Sequence, residues 1–131
     1  MLFRSIELTE HLAPVRILAK RLRPDSGGPG RQRGGLGQEV VLESVAKTPI
    51  RAAVQAERIR TPAEGLLGGG AGACGEVLVN GRPTADSKGT VMLAQGERIV
   101  LRMPGGGGFG DPSERSAEAA RLDRERGYVT S

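Results

Sequence analysis

Glycine is concentrated in three short segments of this 131-residue chain, and this clustering limits the possible folds more than any other feature. Seventeen of the 21 glycines lie in residues 27–37 (GGPGRQRGGLG), 65–75 (GLLGGGAGACG) and 105–110 (GGGGFG). Glycine lets backbones approach closely, at a cost of roughly 0.5–1 kcal/mol per position relative to Ala in regular structure. Because β-branched segments separate the clusters, we expect tight chain crossings here rather than flexible linkers.

The segments between the glycine clusters mostly predict β-strands. The β-branched or alternating stretches are residues 15–20, 39–45, 76–80, 90–93 and 98–103. Asn80-Gly81 is a signal for a two-residue hairpin turn. Residues 49–59 (PIRAAVQAERI) are ambiguous, since Ile50 and Val54 have helical spacing while their position between strand units favours a strand. We predict a strand there.

One helix is expected, over residues 112–126. Asp111 is placed to cap it, Pro112 occupies the first helical position and Gly127 can end it. The predicted fold is therefore a single domain over residues 1–131, mainly β with irregular glycine-rich loops and one C-terminal helix, or α+β if the middle segment is helical. Its core should be thin, because Leu, Ile, Val and Phe total only 30 residues and there are three aromatic residues.

The net charge of +4 originates in one short region. Residues 16–33 hold six basic side chains against one acid, Asp25, while the charges of the remaining chain nearly cancel. The forked donors of Arg31 and Arg33 suit a carboxylate or a phosphate. Asp25, Arg31 and Arg33 are thus candidates for binding a substrate or another anion. The alternative is structural, with Asp25 folding back on an arginine to hold the shape of the loop.

Two glycine patterns of the dinucleotide-binding type, G-x-G-x-x-G, occur at residues 70–75 and 105–110. The first continues into a predicted strand, so it lacks the helix N-terminus that would hold a pyrophosphate. The second precedes a helix, but Asp111 occupies the cap where a phosphate would sit. With no phosphate-binding P-loop either, we expect no nucleotide cofactor in this chain. Gly105, Gly106, Gly107 and Gly108 remain candidate contact residues of the third glycine loop.

Catalytic and metal-binding signals are weak. The chain has one histidine, His11, which we expect to be a surface residue, and one cysteine, Cys74, which we expect to be a small structural thiol. One histidine and one cysteine do not make a Cys/His zinc site. No spacing selects a pair of carboxylates, so no catalytic residue and no metal ligand is assigned. Arginines and glycines without aromatic platforms argue against nucleic-acid binding. The chain shows neither a signal peptide nor an apolar run of membrane-spanning length, so we expect a cytoplasmic protein without a membrane partner.

Three segments resemble the C-terminal part of the hydantoinase B/oxoprolinase family. They are LRPDSGGPGRQRGGLGQ (22–38), GLLGGGAGACG (65–75) and PGGGGFGDPSER (104–115), followed by the closing GYVTS. The order of the three glycine loops is that of the family, and the resemblance extends from about Pro14 onward. One departure is TPAEG (61–65), which stands where family members commonly carry a Pro-Pro-aromatic-Gly stretch.

The resemblance implies a portion or split subunit of an ATP-dependent enzyme that opens cyclic amides such as hydantoins and 5-oxoproline, with acetone carboxylases as relatives. The metal-binding and main catalytic region is expected in the front part of the hydantoinase B-type subunit, outside this chain. The resemblance implies two partners, that front part and an ATP-binding hydantoinase A-type subunit, with ATP and a divalent metal bound by them. The alternative is a non-catalytic β-rich remnant or interaction module with no hydrolase partner.

Overall fold

The computed structural model describes residues 6–84 and 88–130, which form two antiparallel sheets, two α-helices and a glycine-rich region. The helices are α1 (Ile6–Leu12) and α2 (Ala117–Glu125). The strands are β1 (Val15–Leu22), β2 (Gln38–Ser44), β3 (Ile50–Gln55), β4 (Glu76–Val79), β5 (Arg82–Pro83), β6 (Lys88–Leu93) and β7 (Arg98–Arg102). The prediction of a mainly β fold is confirmed, and the ambiguous middle segment forms strand β3.

The larger sheet has five strands in the order β1-β2-β7-β4-β5, and the smaller one pairs β3 with β6. Val77, Leu93 and Ile99 are buried between the sheets and form the core with half-buried aliphatic side chains around them. Among the described residues only four hydrophobic side chains are buried, the fourth being Val40. The core is as thin as the composition predicted.

The strand order brings all three glycine segments to one end of the larger sheet. β1 ends and β2 begins there, since Leu22 pairs with Gln38, and β7 ends beside them, since Arg102 pairs with Glu39. β4 begins at the same level, because Glu76 also pairs with Arg102. Each glycine segment therefore leaves or enters the sheet at this end, and the segments can pack against one another.

Turns and chain ends follow the sequence signals in part. Asn80 and Gly81 have φ values of 50° and 80°, as the predicted hairpin between β4 and β5 requires. The segment expected to form one helix over 112–126 is divided into a 3₁₀ turn, Pro112–Glu114, and α2, because Arg115 is extended with ψ 130°. Ser116 caps α2 by accepting a hydrogen bond from the Ala119 N–H. Helix α1 was not anticipated. None of the helices in the described ranges is long and apolar enough to cross a membrane.

Candidate functional site: the glycine bundle

The third glycine segment lies at the centre of a bundle made by all three segments, which we call the glycine bundle (residues 26–37, 63–75 and 104–110). Along this central segment, the N–H groups of Gly105 and Gly108 donate to the carbonyls of Ala73 and Gly70, at 3.0 and 2.9 Å. Donors three residues apart on one segment thus meet acceptors three residues apart on its neighbour. That spacing places Gly105 and Gly108 on the same side of the central segment.

A second side of the central segment shows the same spacing. The N–H groups of Gly106 and Phe109 donate to the carbonyls of Gly35 and Gln32, at 2.8 and 2.9 Å. A repeat of three residues per turn with hydrogen bonds only to neighbouring segments is the geometry of an extended polyproline II-type helix. The central segment therefore has the hydrogen-bonding pattern of an extended helix, whereas the first and second segments also contain internal hydrogen bonds, from Gly34 to Gly28 and from Gly69 to Leu66.

Close packing explains why the central segment is glycine. A Cβ on Gly105 would overlap the carbonyl of Ser26, and one on Gly108 would overlap the carbonyl of Pro29. Both obstacles are backbone atoms, which cannot rotate away as a side chain can. The expectation of tight crossings is thereby confirmed. Gly105, Gly106, Gly107 and Gly108 lie inside the bundle, which favours a structural role over a loop that contacts a ligand.

Asp25 fastens the end of the chain to the first glycine segment. Its N–H donates to the carbonyl of Tyr128 at 2.9 Å, and its carboxylate accepts from both the N–H, at 3.0 Å, and the hydroxyl of Thr130. These hydrogen bonds from Thr130 hold the pKa of Asp25 below its usual value. The structural alternative expected Asp25 to bind an arginine side chain, whereas its hydrogen bonds go to the C-terminal residues.

Arg33 joins the bundle to helix α2 through a buried carboxylate. Its Nε donates to Oδ2 of Asp123 at 3.0 Å, and Arg115 binds the same oxygen through Nη2 at 2.8 Å. Burial of Asp123 opposes its ionisation, but the hydrogen bonds from Arg33 and Arg115 outweigh it, so that the pKa lies below the usual value. Asp123 and Arg115 were not predicted as site residues, because nothing in the sequence links Asp123 to Arg33, 90 positions away.

Arg31 contacts this cluster only through its backbone carbonyl, which accepts a hydrogen bond from Nη1 of Arg115 at 3.0 Å. Its guanidinium is 3.8 Å from the carboxylate of Glu114, and both side chains are more than half exposed. Arg31, Arg33 and Asp25 therefore have three different partners rather than converging on one anion. A cleft of about 330 Å³ does border Arg33, but its guanidinium is already paired with Asp123.

The remaining candidates give no reactive centre among the described residues. His11 is exposed on α1, and Cys74 is half-buried within the second glycine segment. Asp111 accepts hydrogen bonds from the N–H and hydroxyl of Ser113, which confirms it as the cap of the short turn that follows the second dinucleotide-type motif. Within residues 6–84 and 88–130 no group of three or more His, Cys, Asp or Glu side chains could hold a metal ion.

Comparison with known proteins identifies the family. The family model of hydantoinase B/oxoprolinase matches residues 1–112. The chain belongs to the hydantoinase B/oxoprolinase family. The predicted resemblance is thereby confirmed.

Three relatives show how much of a family member the chain represents. An uncharacterised protein of Methanocaldococcus jannaschii is 40% identical over 84% of this chain and 20% of its own length. The caprolactamase subunit beta of Pseudomonas jessenii is 34% identical over 96% of this chain and 23% of its own length. A 5-oxoprolinase of Saccharomyces cerevisiae is 33% identical over 79% of this chain and 8% of its own length. The chain thus spans a quarter or less of these relatives.

Solved structures share the fold. The ATP-dependent caprolactamase of Pseudomonas jessenii superposes with a TM-score of 0.75 at 27% identity, over 96% of this chain and 23% of that one. A nucleotide-free acetone carboxylase superposes with a TM-score of 0.74 at 20% identity, over 98% of this chain and 22% of that one. The second likeness is one of fold alone.

Proposed function

We propose that this chain is a C-terminal portion or split subunit of an ATP-dependent enzyme of the hydantoinase B/5-oxoprolinase type that hydrolyses cyclic amides, and that it is inactive alone. Two partners complete the enzyme: the front part of the hydantoinase B-type subunit and an ATP-binding hydantoinase A-type subunit. Family membership supports the proposal, and so do the names of relatives, which include an ATP-dependent caprolactamase and one of its subunits. We place the assembly in the cytoplasm.

The role proposed for this chain is structural support of the assembled site. The side chains of the described residues do not fit a divalent metal, since they bring no set of metal-ligating groups together. We therefore assign ATP, the metal and the catalytic residues to the partners. What this chain contributes is the glycine bundle, whose backbone hydrogen bonds hold one of its ends in a fixed conformation.

One observation carries the proposal: an exposed apolar tip at that end of the bundle, formed by Leu66, Leu67 and Phe109. Their exposed fractions are 63%, 72% and 37%. The backbone fixes them, because the Leu66 N–H donates to the carbonyl of Gly108 at 2.9 Å and the Gly110 N–H donates to the carbonyl of Leu66 at 2.9 Å. Large apolar side chains held rigidly in solvent are typical of surfaces that bind another protein.

Leu67 is also strained. Its φ is 50°, in the left-handed region, which costs a residue with a Cβ about 1–2 kcal/mol relative to ordinary helical backbone. A glycine would adopt this conformation without that cost. A leucine that destabilises the isolated chain while lying 72% exposed is explained if it packs into a partner.

Replacement of Leu67 separates the two effects. Leu67→Gly should stabilise the isolated chain by roughly 0.5–1 kcal/mol, the relief of strain less the entropic cost of glycine, yet weaken capture by the partner chains. Calorimetry measures the first, and co-purification with the two partners measures the second. Met92→Gly is the control for binding, because Met92 is 55% exposed on the other sheet. Equal capture of wild type and Leu67→Gly would contradict docking through the tip, and absence of capture altogether would favour an interaction module with no hydrolase partner.

A further inference from the structure

A cleft at the glycine end of the larger sheet is lined by three arginines. Its volume is about 370 Å³, enough for a small ligand. We call it the arginine cleft, and its lining residues are Arg21, Leu22, Arg23, Pro24, Glu39 and Arg102. None of its lining residues belongs to the apolar tip on which the proposed function rests.

Two of these arginines share one carboxylate across the sheet. Arg21, Glu39 and Arg102 are in register on neighbouring strands. Arg21 binds Oε1 of Glu39, while Arg102 binds Oε2 at 2.7 Å and also reaches Glu76 at 2.8 Å through Nη1. The hydrogen bond from Arg102, opposed by burial and aided by Arg21, holds the pKa of Glu39 below its usual value. In this group of four side chains, the guanidinium groups of Arg21 and Arg102 are therefore balanced by the carboxylates of Glu39 and Glu76.

Arg23 adds a positive charge that no acid offsets. Its Nη1 donates to the carbonyl of Cys74 at 2.7 Å and to that of Met103 at 3.1 Å. Within the described ranges, no carboxylate forms an ion pair with Arg23. These two carbonyls orient the guanidinium while leaving its Nε and Nη2 donors uncommitted. The cleft thus has an excess of one positive charge, and the Arg23 guanidinium is held in position with its Nε and Nη2 donors available.

We propose that Arg21, Arg23 and Arg102 form a binding site for a phosphate or carboxylate anion in the arginine cleft. A guanidinium fork donates two parallel hydrogen bonds to either group. Arg23 is the anchor. The Arg21 side chain is 68% exposed and, although its Nε and Nη2 are paired with Glu39, its Nη1 has no partner among the described residues, whereas Arg102 is held in place by Glu39 and Glu76. The positive region recognised in the sequence would then act through Arg23 rather than through Arg31 and Arg33.

Titration calorimetry of the purified chain tests this site, with inorganic phosphate and acetate as separate probes at constant ionic strength. We expect saturable binding of at least one anion, and the probe that binds identifies the class of ligand. Arg23→Lys keeps the charge but loses the fork and should weaken binding at least tenfold. Arg21→Met should weaken binding severalfold while leaving the contacts of Arg23 with the bundle intact.

Arg51→Met is the matched control, since it removes an exposed arginine from β3 in the other sheet. It should bind as the wild type does, and circular dichroism of every variant checks that the fold is retained. If Arg23→Lys does not fold, Arg21→Met alone decides. Two results would overturn the proposal: no saturable binding of either anion by the wild type, or equal affinity in Arg21→Met and Arg51→Met.

Discussion

Replacing Gly108 with alanine should destabilise the chain severely, whereas the same change at Gly35 should not. A Cβ on Gly108 would lie 2.6 Å from the carbonyl carbon of Pro29 and 2.8 Å from the carbonyl oxygen of Gly28. At Gly35 the added carbon would have no neighbour within 4 Å. Both glycines belong to the same bundle, so the pair isolates close packing from every other effect of a glycine-to-alanine change.

The expected loss follows from what the added methyl group displaces. Overpacking an interior by one carbon costs ~1–3 kcal/mol. Moving the Gly108 backbone aside also breaks its 2.9 Å hydrogen bond to the Gly70 carbonyl, and an unpaired buried group costs ~1–3 kcal/mol more. Together these predict a loss of about 4 kcal/mol, a large part of the roughly 5–15 kcal/mol that stabilises a typical domain. Gly35→Ala should be neutral or gain ~0.4–1 kcal/mol by restricting the unfolded chain.

Urea unfolding followed by far-ultraviolet circular dichroism measures both variants against the wild type. The expected result is a much lower midpoint for Gly108→Ala, or no folded protein at all, with the Gly35→Ala midpoint at or above that of the wild type. Equal stability of the two variants would refute the packed bundle, and so would a greater loss in Gly35→Ala.

Three further outcomes test the contacts around the bundle. Arg33→Ala should destabilise the chain by about 2–3 kcal/mol, because it leaves the buried Asp123 carboxylate with one cation fewer. Arg31→Ala should change the stability by less than about 0.5 kcal/mol, because its ion pair with Glu114 is exposed. Urea unfolding measures both variants. Folding lowers the pKa of Asp123. The stability that its ionised carboxylate contributes is therefore complete above the ordinary aspartate pKa of about 3.9 and is lost as the pH falls through the lower folded pKa. Urea midpoints measured from pH 6 down to pH 2 should accordingly decline less in Asp123→Asn than in the wild type. Thr130→Val removes the hydroxyl that binds Asp25 and should increase proteolysis of the C-terminal residues without altering the midpoint.

The sheets could be predicted because their signals are local. β-branched alternation marks the strands, and Asn80-Gly81 marks its turn, so these elements lie where the pattern placed them. The clustering of glycine also predicted close crossings correctly. It could not predict which segments meet, because the contacts join backbone to backbone, as between Gly28 and Gly106, and carry no side-chain signature.

The ion pairs of the site could not be predicted either, because their partners are far apart in the sequence. Arg33 and Asp123 are 90 positions apart, and 15 acidic residues offered no basis for choosing Asp123 as its partner. The break before α2 has a comparable origin. Arg115 leaves helical geometry while its guanidinium binds Asp123, a tertiary contact that overrides the helix-forming tendency of residues 112–126.

The most direct test of the central claim is ATP-dependent hydrolysis of a cyclic amide by the reconstituted chains. The A-type subunit and the front part of the B-type subunit are purified together with and without this chain, and opening of 5-oxoproline or hydantoin is followed. We predict that hydrolysis requires this chain, falls when Leu67 is replaced with aspartate and persists when Met92 is replaced in the same way. Equal rates with and without the chain would contradict the claim.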